Sequence, residues 1–371
     1  MLEAIAAAGS TTRPAIAKAT GLSKPTVSQA VRRLLETGLI AENGDVRGNT
    51  GRVPIAYAIQ PSVGFVVAID VGGSSVRVSC ADLYGESHAE VRAETRTGEE
   101  ALPVQLVELV HEVLAKAGLA ESSLLAIGVA APGVVDPVTQ LVSLAPNIFV
   151  RDGFDLTRSL REVFTTRVYV ENNVNMAAVG EKWRGLGRAV DTFAFVGIGA
   201  GIGMGLIHND QLWRGSNGAA GEISFLPLAE DPLDTRHRVR GGLEDQTGAA
   251  TLLAMARQNR GWQEHPPRGV AEIFLRAEDG DPAAQALVKA AGNWIGLAIA
   301  SICAVVDPGL VVLGGGIGAN LRVREMVQGV VESLIPYPPR IETTELGEAV
   351  SLYGATSVAL SMAREFLAAK A

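Results

Sequence analysis

Cysteine is nearly absent from this chain: Cys80 and Cys303 are the only two among 371 residues. That excludes a disulfide framework, and neither residue belongs to a metal-ligand spacing. The N-terminus lacks a charged segment followed by an apolar core, so no signal peptide is indicated. Long hydrophobic runs are missing too. The longest, Trp294 to Val306, falls short of the ~20 residues that span a bilayer. These absences make a soluble cytoplasmic protein with no membrane partner the default expectation.

What is present is ample apolar residue, 47%, enough to build ordinary cores. The length predicts two or three domains. The net charge of −8 is unevenly spread. Residues 1–60 hold seven basic residues (Arg13, Lys18, Lys24, Arg32, Arg33, Arg47, Arg52) against four acids (Glu3, Glu36, Glu42, Asp45). The remainder is strongly acidic. A basic head on an acidic body binds DNA with one end only, because phosphate repels the other.

The head reads as three helices and a wing. Leu2 to Ala8 is a short apolar helix. Thr12 is placed to cap a second, about Arg13 to Thr20, with Pro14 in its first turn, where a missing N–H costs little. Gly21 ends it. Ser23 caps a third, about Lys24 to Thr37, and Gly38 stops it. Ala17, Gly21 and Val27 fall where a helix-turn-helix needs a small residue, a turn glycine and a buried β-branched residue. The third helix turns Lys24, Thr26, Ser28, Gln29, Arg32 and Arg33 outward. Its first residues are placed for base edges and its arginines for phosphates. Leu39–Glu42 and Val53–Ile59 read as strands flanking a Gly-rich wing. Arg47 or Arg52 in that wing is a candidate for a minor groove.

After Gln60 the chain changes character. Phe65 to Asp70 is a buried strand, followed by a Gly72-Gly73 turn and a second strand, Val76 to Ala81. The plan returns at Thr192 to His208 around Gly199, Gly201 and Gly203. A third strand, from Gly309, runs into Gly314, Gly315 and Gly316. Glycine loops between strands let backbone N–H groups close on phosphate oxygens. Asp70, at a strand end, suits a metal–phosphate group.

Asp70-Val-Gly-Gly-Ser-Ser-Val-Arg77 resembles the first phosphate motif of ROK-family sugar kinases and repressors. Gly128–Gly133, Pro146-Asn147, Glu171–Asn173, Gly218–Ile223, Leu243-Glu244 and Leu313–Ile317 follow in that family's order. The resemblance implies an α/β fold: an N-terminal winged helix-turn-helix joined to a two-lobed actin/hexokinase-like body with sugar at its hinge. It divides the chain into a head (1–60), a linker (61–64), a smaller lobe (65–175 and 353–371) and a larger lobe (176–352). It also implies a sugar pocket made by Gly133, Asn147, Asn172, Asn173, Glu222 and Glu244.

Two features depart from the kinase pattern, the proton acceptor and the metal site. The family's kinases use an aspartate to take the proton from the attacking sugar hydroxyl. Here Asn173 stands there. An amide still binds a hydroxyl but cannot accept its proton in this role. A capping residue for the following helix is the alternative role for Asn173. The family's zinc ligands, His-x9-Cys-x-Cys-x4-Cys, are replaced by Phe225, Thr235, His237 and Gly242, so no zinc is expected. Phe225 is expected to fill the space left by the missing site, with packing on an apolar sugar face as the alternative, and Arg236, Arg238 and Arg240 are expected to pair with Asp231 and Asp234.

The expectation is a non-catalytic, DNA-binding regulator, reading as a repressor. A sugar or sugar derivative in a kinase-like cleft controls its grip on a double-stranded operator. Asp70, Gly72, Gly73, Gly199, Gly201, Gly203, Gly314 and Gly315 are then vestigial phosphate loops, with ATP and Mg²⁺ binding open. A homodimer or tetramer is expected. An active ATP-dependent sugar kinase with an added head, and a repressor controlled by a protein partner, are the alternatives.

Overall fold

The computed structural model of the chain describes residues 1–45, 54–145 and 153–370. Arg47, Arg52 and Asn147 lie outside the described residues. The chain divides into two compact units: Met1–Ala131, Ala145–Val170 and Ala355–Ala371 form the first, and Pro132–Leu144 with Glu171–Gly354 the second.

The head belongs to the first unit. It runs α1 (Leu2–Ala8), β1 (Thr11–Thr12), α2 (Arg13–Thr20), α3 (Lys24–Glu36), β2 (Ile40–Asp45) and β3 (Ile55–Ile59). The strands form a sheet ordered β1-β3-β2. Ile5, Ile16, Val27, Val31, Leu34 and Tyr57 are buried beneath the helices. Gly21 ends α2 in the left-handed region, with φ 68°. Ser23 caps α3 by accepting from the Thr26 N–H. Thr12 precedes α2 without a side-chain capping bond, so Pro14 and Gly21, rather than a cap, define that helix. At the other end of α3, the Gly38 N–H reaches the Leu35 carbonyl and the Leu39 N–H the Leu34 carbonyl. That paired closure is a Schellman ending, and it needs Gly38 at positive φ.

Residues Pro61–Val63 form one 3-10 turn, and Gly64 follows at φ 146°. A side chain at Gly64 would lie 2.5 Å from the Ser123 carbonyl. The expected linker is therefore a packed crossing into the rest of the unit. Beyond it come β4 (Phe65–Val71), β5 (Ser75–Ala81), β6 (Ser87–Glu94), α4 (Ala101–Ala117) and β7 (Leu124–Ala131). The two-residue strands β8 (Val134–Val135) and β9 (Val142–Ser143) belong to the second unit. The two units place 132–144, 171–175 and 353–354 in the second unit, and β8 and β9 pair with each other rather than joining the first sheet. Then follow α5 (Arg158–Val163) and β10 (Arg167–Asn172). The first sheet has the order β10-β7-β4-β5-β6.

The second unit continues with α6 (Asn173–Arg184), β11 (Phe193–Ile198), β12 (Ile202–His208) and β13 (Gln211–Leu212). Helices α7 (His237–Arg240), α8 (Glu244–Thr247), α9 (Ala249–Gln258), α10 (Val270–Glu278) and α11 (Pro282–Val306) follow. Strand β14 (Leu310–Gly314), α12 (Gly315–Gly318), α13 (Leu321–Leu334), β15 (Arg340–Thr343) and α14 (Val350–Lys370) complete the chain. Its sheet runs β13-β12-β11-β14-β15.

The duplication expected from the two glycine hairpins is visible in the strand directions. Strand β4 pairs antiparallel with β5 and parallel with β7. Strand β11 pairs antiparallel with β12 and parallel with β14. Helix α11 is longer than the Trp294–Val306 run suggested. At 25 residues it is apolar enough to cross a membrane by length and composition. Its packing is that of a core helix. Val288, Ile295 and Ile299 are buried, and Gly292 and Gly296 admit Met326 and Val330 of α13 at close range.

Candidate functional site

The outward face of α3 is built by its buried one. Val27, Val31 and Leu34 face inward, which leaves Lys24, Thr26, Gln29, Arg32 and Arg33 exposed and Ser28 half-buried. Lys24, Arg32 and Arg33 make no ion pair among the described residues. Their charge is available to phosphate, which is the dominant source of affinity for DNA. The Thr26 hydroxyl lies 2.8 Å from that of Ser23, so it serves the cap as well as the face. Arg13 stacks over the Tyr57 ring at 5.1 Å and stabilises the head.

The second candidate site lies wholly within the second unit. Strand β10 delivers Glu171 and Asn172, and α6 starts at Asn173. Asn172 turns out to be the cap: its Oδ1 accepts from the N–H groups of Val174 and Asn175. Its Nδ2 donates to the Gly133 carbonyl at 2.8 Å. Most of the Asn172 amide, together with the Gly133 carbonyl, is thus committed to holding the corner. The capping role considered for Asn173 belongs to its neighbour. Asn173 is half-buried, and its amide makes no hydrogen bond among the described residues. It remains free to meet a ligand hydroxyl.

Glu171 and Arg214 are the residues that sequence reasoning missed as a pair. Glu171 is nearly fully buried. It accepts from Arg214 Nε at 2.6 Å, from Asn175 Nδ2 at 3.0 Å and from the Asn172 N–H at 2.9 Å. A buried carboxylate with this many donors is held firmly in place. The signal for it was an acid ending an apolar strand, which demands a partner. Arg214 opens the Gly215–Glu222 loop, so the pair joins the Asn173 corner to the segment carrying Glu222.

Glu222 occupies an inverse γ-turn, with φ −71°, ψ 61° and the Ile223 N–H bonded to the Gly221 carbonyl at 2.7 Å. Gly221 is forced: at φ 94° its Cβ would sit 1.9 Å from the Met204 carbonyl. Burial, then the nearby Glu244 charge, raises the pKa of Glu222. Burial also raises Glu244, opposed by the Ile202 N–H and Arg240. Two partly buried carboxylates that repel each other and lack enough internal donors are suited to accept from the hydroxyls of a ligand.

The glycine loops separate into two groups. A Cβ at Gly201 would meet the Glu244 carboxylate at 2.4 Å, at Gly203 the Val174 side chain at 3.2 Å, at Gly314 the Phe195 ring at 2.3 Å, and at Gly315 the Ile198 carbonyl at 2.4 Å. Gly315, at φ 79° against backbone, and Gly314, against the buried Phe195 ring, are closed to a side chain, whereas Gly201 meets only the end of the Glu244 side chain and Gly203 a close contact that a small shift relieves. Gly72 makes a tight turn on the Ser75 carbonyl. Gly73 and Gly316 have open space, and Gly199 has only Gly316 nearby. In the first unit, burial pushes the Asp70 carboxyl up to about 6 against the pull of Arg77 and Arg92.

At the positions of the family's zinc ligands the donor set does not fit a metal. Phe225 is 39% exposed, contrary to the expected filling role, because the Ile223–Phe225 turn directs Ile223 and Ser224 inward instead. Thr235 is exposed, and Gly242 offers no side chain. Both nitrogens of His237 are occupied: Nδ1 lies 2.9 Å from Asp245 and Nε2 3.1 Å from the Asp231 carbonyl. A Cβ at Gly242 would meet the Ala229 side chain at 3.0 Å and the His237 ring at an ordinary 3.5 Å. The loop is therefore closed by a pinned histidine. Of the expected pairs, Arg236 meets Asp234, while Arg238 and Arg240 make no ion pair among the described residues.

A kinase-like body whose acceptor corner holds an amide, carrying a winged helix-turn-helix, defines a class: a regulator derived from a sugar-kinase fold. Comparison with known proteins gives the family. The sequence pattern of the ROK family matches residues 66–362 and that of the MarR family residues 1–48; the chain belongs to the ROK family. It is 26% identical to the xylose repressor of Caldicellulosiruptor bescii over 314 residues, 81% of this chain and 78% of the other. The ROK hexokinase of Thermus thermophilus is 27% identical with a TM-score of 0.67, over 81% of this chain and 99% of that one. A ROK family transcriptional regulator, a homologue of the E. coli Mlc protein, shares the fold over 97% of this chain and 94% of its own. Its TM-score is 0.80 and its identity 19%.

Proposed function

We propose that the chain is a transcriptional repressor whose operator binding is released by a sugar held, without phosphorylation, at Asn173, Glu222 and Glu244. The single observation that carries this is the joint presence of an unpaired basic α3 face and a sugar-type acceptor set whose proton-accepting position is Asn173. The name of the xylose repressor relative supports the same reading. The neighbours that are kinases account for the fold and for the retained glycine loops. Losing a positioned base lowers rate by about 10²–10⁴-fold, so binding persists where turnover fails.

Each head docks α3 in a major groove, and two heads in a homodimer read two half-sites. The working compartment is the cytoplasm, where DNA is. No zinc takes part, since His237 is committed to Asp245 and Asp231. ATP is not required for release. Sugar binding favours the state with weak DNA affinity, and by linkage DNA weakens sugar binding equally. The test is a thermal-shift screen of D-xylose, D-glucose, N-acetylglucosamine and their phosphates, because a ligand of the folded state raises apparent stability. A hit that Glu222→Ala abolishes supports the assignment. Phosphorylation of any of these sugars by ATP at ordinary kinase rates would overturn it.

A further inference from the structure

Besides the covalent crossing at Gln60–Gly64, the head is joined to its unit at Tyr84. The Ile59 N–H donates to the Tyr84 hydroxyl at 2.6 Å, and that hydroxyl reaches the Ile59 carbonyl at 3.3 Å. Ile59 is the last residue of β3, so one phenol holds both backbone groups at the end of the wing strand.

Tyr84 is itself rigidly presented. It sits in a tight turn in which Asp82 Oδ1 accepts from the N–H groups of Tyr84 and Glu86, at 2.9 and 3.0 Å. Gly85 closes the turn at φ 83°, with its N–H on the Asp82 carbonyl. Side chains that bond their own backbone two residues on stiffen a turn in this way. Behind the turn stands α14. Arg364 donates to the Leu83 carbonyl at 2.8 Å. Its Nε is buried without a partner among the described residues, and burial lowers its pKa while Glu3 of α1 opposes that. A half-buried guanidinium under this tension is held in place by the groups around it.

Helix α14 is unbroken from Val350 to Lys370, and its first turn packs in the second unit. There a Cβ on Gly354 would lie 1.8 Å from the Met176 carbonyl of α6, and one on Gly180 would lie 2.2 Å from the Val350 carbonyl. Helix α6 begins at Asn173. A body attached at one point pivots, whereas a second attachment fixes its angle.

We propose that Tyr84, backed by Arg364 through Leu83, is a positioning residue for the DNA-reading head, and that the ligand response reaches the head through this joint rather than through the Gln60–Gly64 crossing alone. The second clause rests on the sugar-controlled reading above; the first does not. Nothing in the contact requires DNA or ligand to touch Tyr84.

The experiment compares the full native chain with Tyr84→Phe and Arg364→Met. Hydrogen exchange of residues 55–64 is read first. Faster exchange there in Tyr84→Phe, with residues 171–225 unchanged, is expected. Unchanged exchange at 55–64 overturns the joint, whatever the ligand does. D-xylose and the other sugars are then titrated into the protein and into its complex with a duplex selected from a random library. Allosteric coupling is typically about 5–150-fold. Tyr84→Phe should keep sugar affinity within about 3-fold of native while losing most of the sugar-induced change in duplex affinity. Arg364→Met should do the same. A native-sized change in either variant overturns the transmitting role. Absence of any sugar effect in the native chain would sink the sugar reading and the transmitting clause together, leaving the exchange result to decide the positioning clause.

Discussion

In the proposed function, Asn173 is the residue on which binding and catalysis part company. Its amide makes no hydrogen bond among the described residues, so Asn173→Ala removes the proposed ligand contact without removing a structural one seen there. A net hydrogen bond contributes about 0.5–1.5 kcal/mol, so sugar affinity should fall about 2- to 13-fold with little change in Tm. Calorimetric titration beside a thermal melt checks both. Asp70 gives a pH signature. Its pKa is raised to about 6 from 3.8, so the folded state holds the proton more tightly than the unfolded one. The stability this contributes is full below the unfolded value and is lost as pH rises through about 6. Asp70→Asn keeps the neutral form. Its Tm should exceed native by a few degrees at pH 8, with the gain vanishing near pH 4. A larger deficit at pH 8 than at pH 4 would contradict the desolvation account.

At the scale of elements, much was legible because local chemistry decided it. The bounds of α2 follow from Pro14 and Gly21, and the hairpins of both sheets follow from continuous apolar runs broken by glycine. What was not legible depended on partners distant in sequence. Asn172 became the α6 cap because Gly133 orients its amide, a residue 39 positions away. Phe225 turned outward because the neighbouring turn buried Ile223 and Ser224. The reason for Gly314 lies in Phe195, and the reason for Gly354 lies in α6. The last yields a prediction. Gly354→Ala forces a Cβ against the Met176 carbonyl, and overpacking against backbone costs about 1–3 kcal/mol or more. Gly73→Ala meets no atom within 4 Å and should be near neutral. Urea melts of the two variants measure the contrast. Equal stability would show that α6 and α14 do not pack as described.

For the molecule as a whole, the account assigns separate tasks to an exposed basic face in the head and to paired acids in the second unit. The face should show a steep salt dependence. Each phosphate contact adds roughly −0.9 to the slope of log affinity against log salt, so Arg32→Ala should flatten that slope by about 1. The acids should show no such dependence. The most direct measurement of the central claim is the affinity of the full chain for a selected operator duplex, with and without saturating sugar, beside Glu222→Ala. The account predicts that one sugar weakens native binding by about 5–150-fold, that Glu222→Ala binds the duplex as native does, and that sugar no longer releases it. Equal sugar-induced release by Glu222→Ala would contradict the claim.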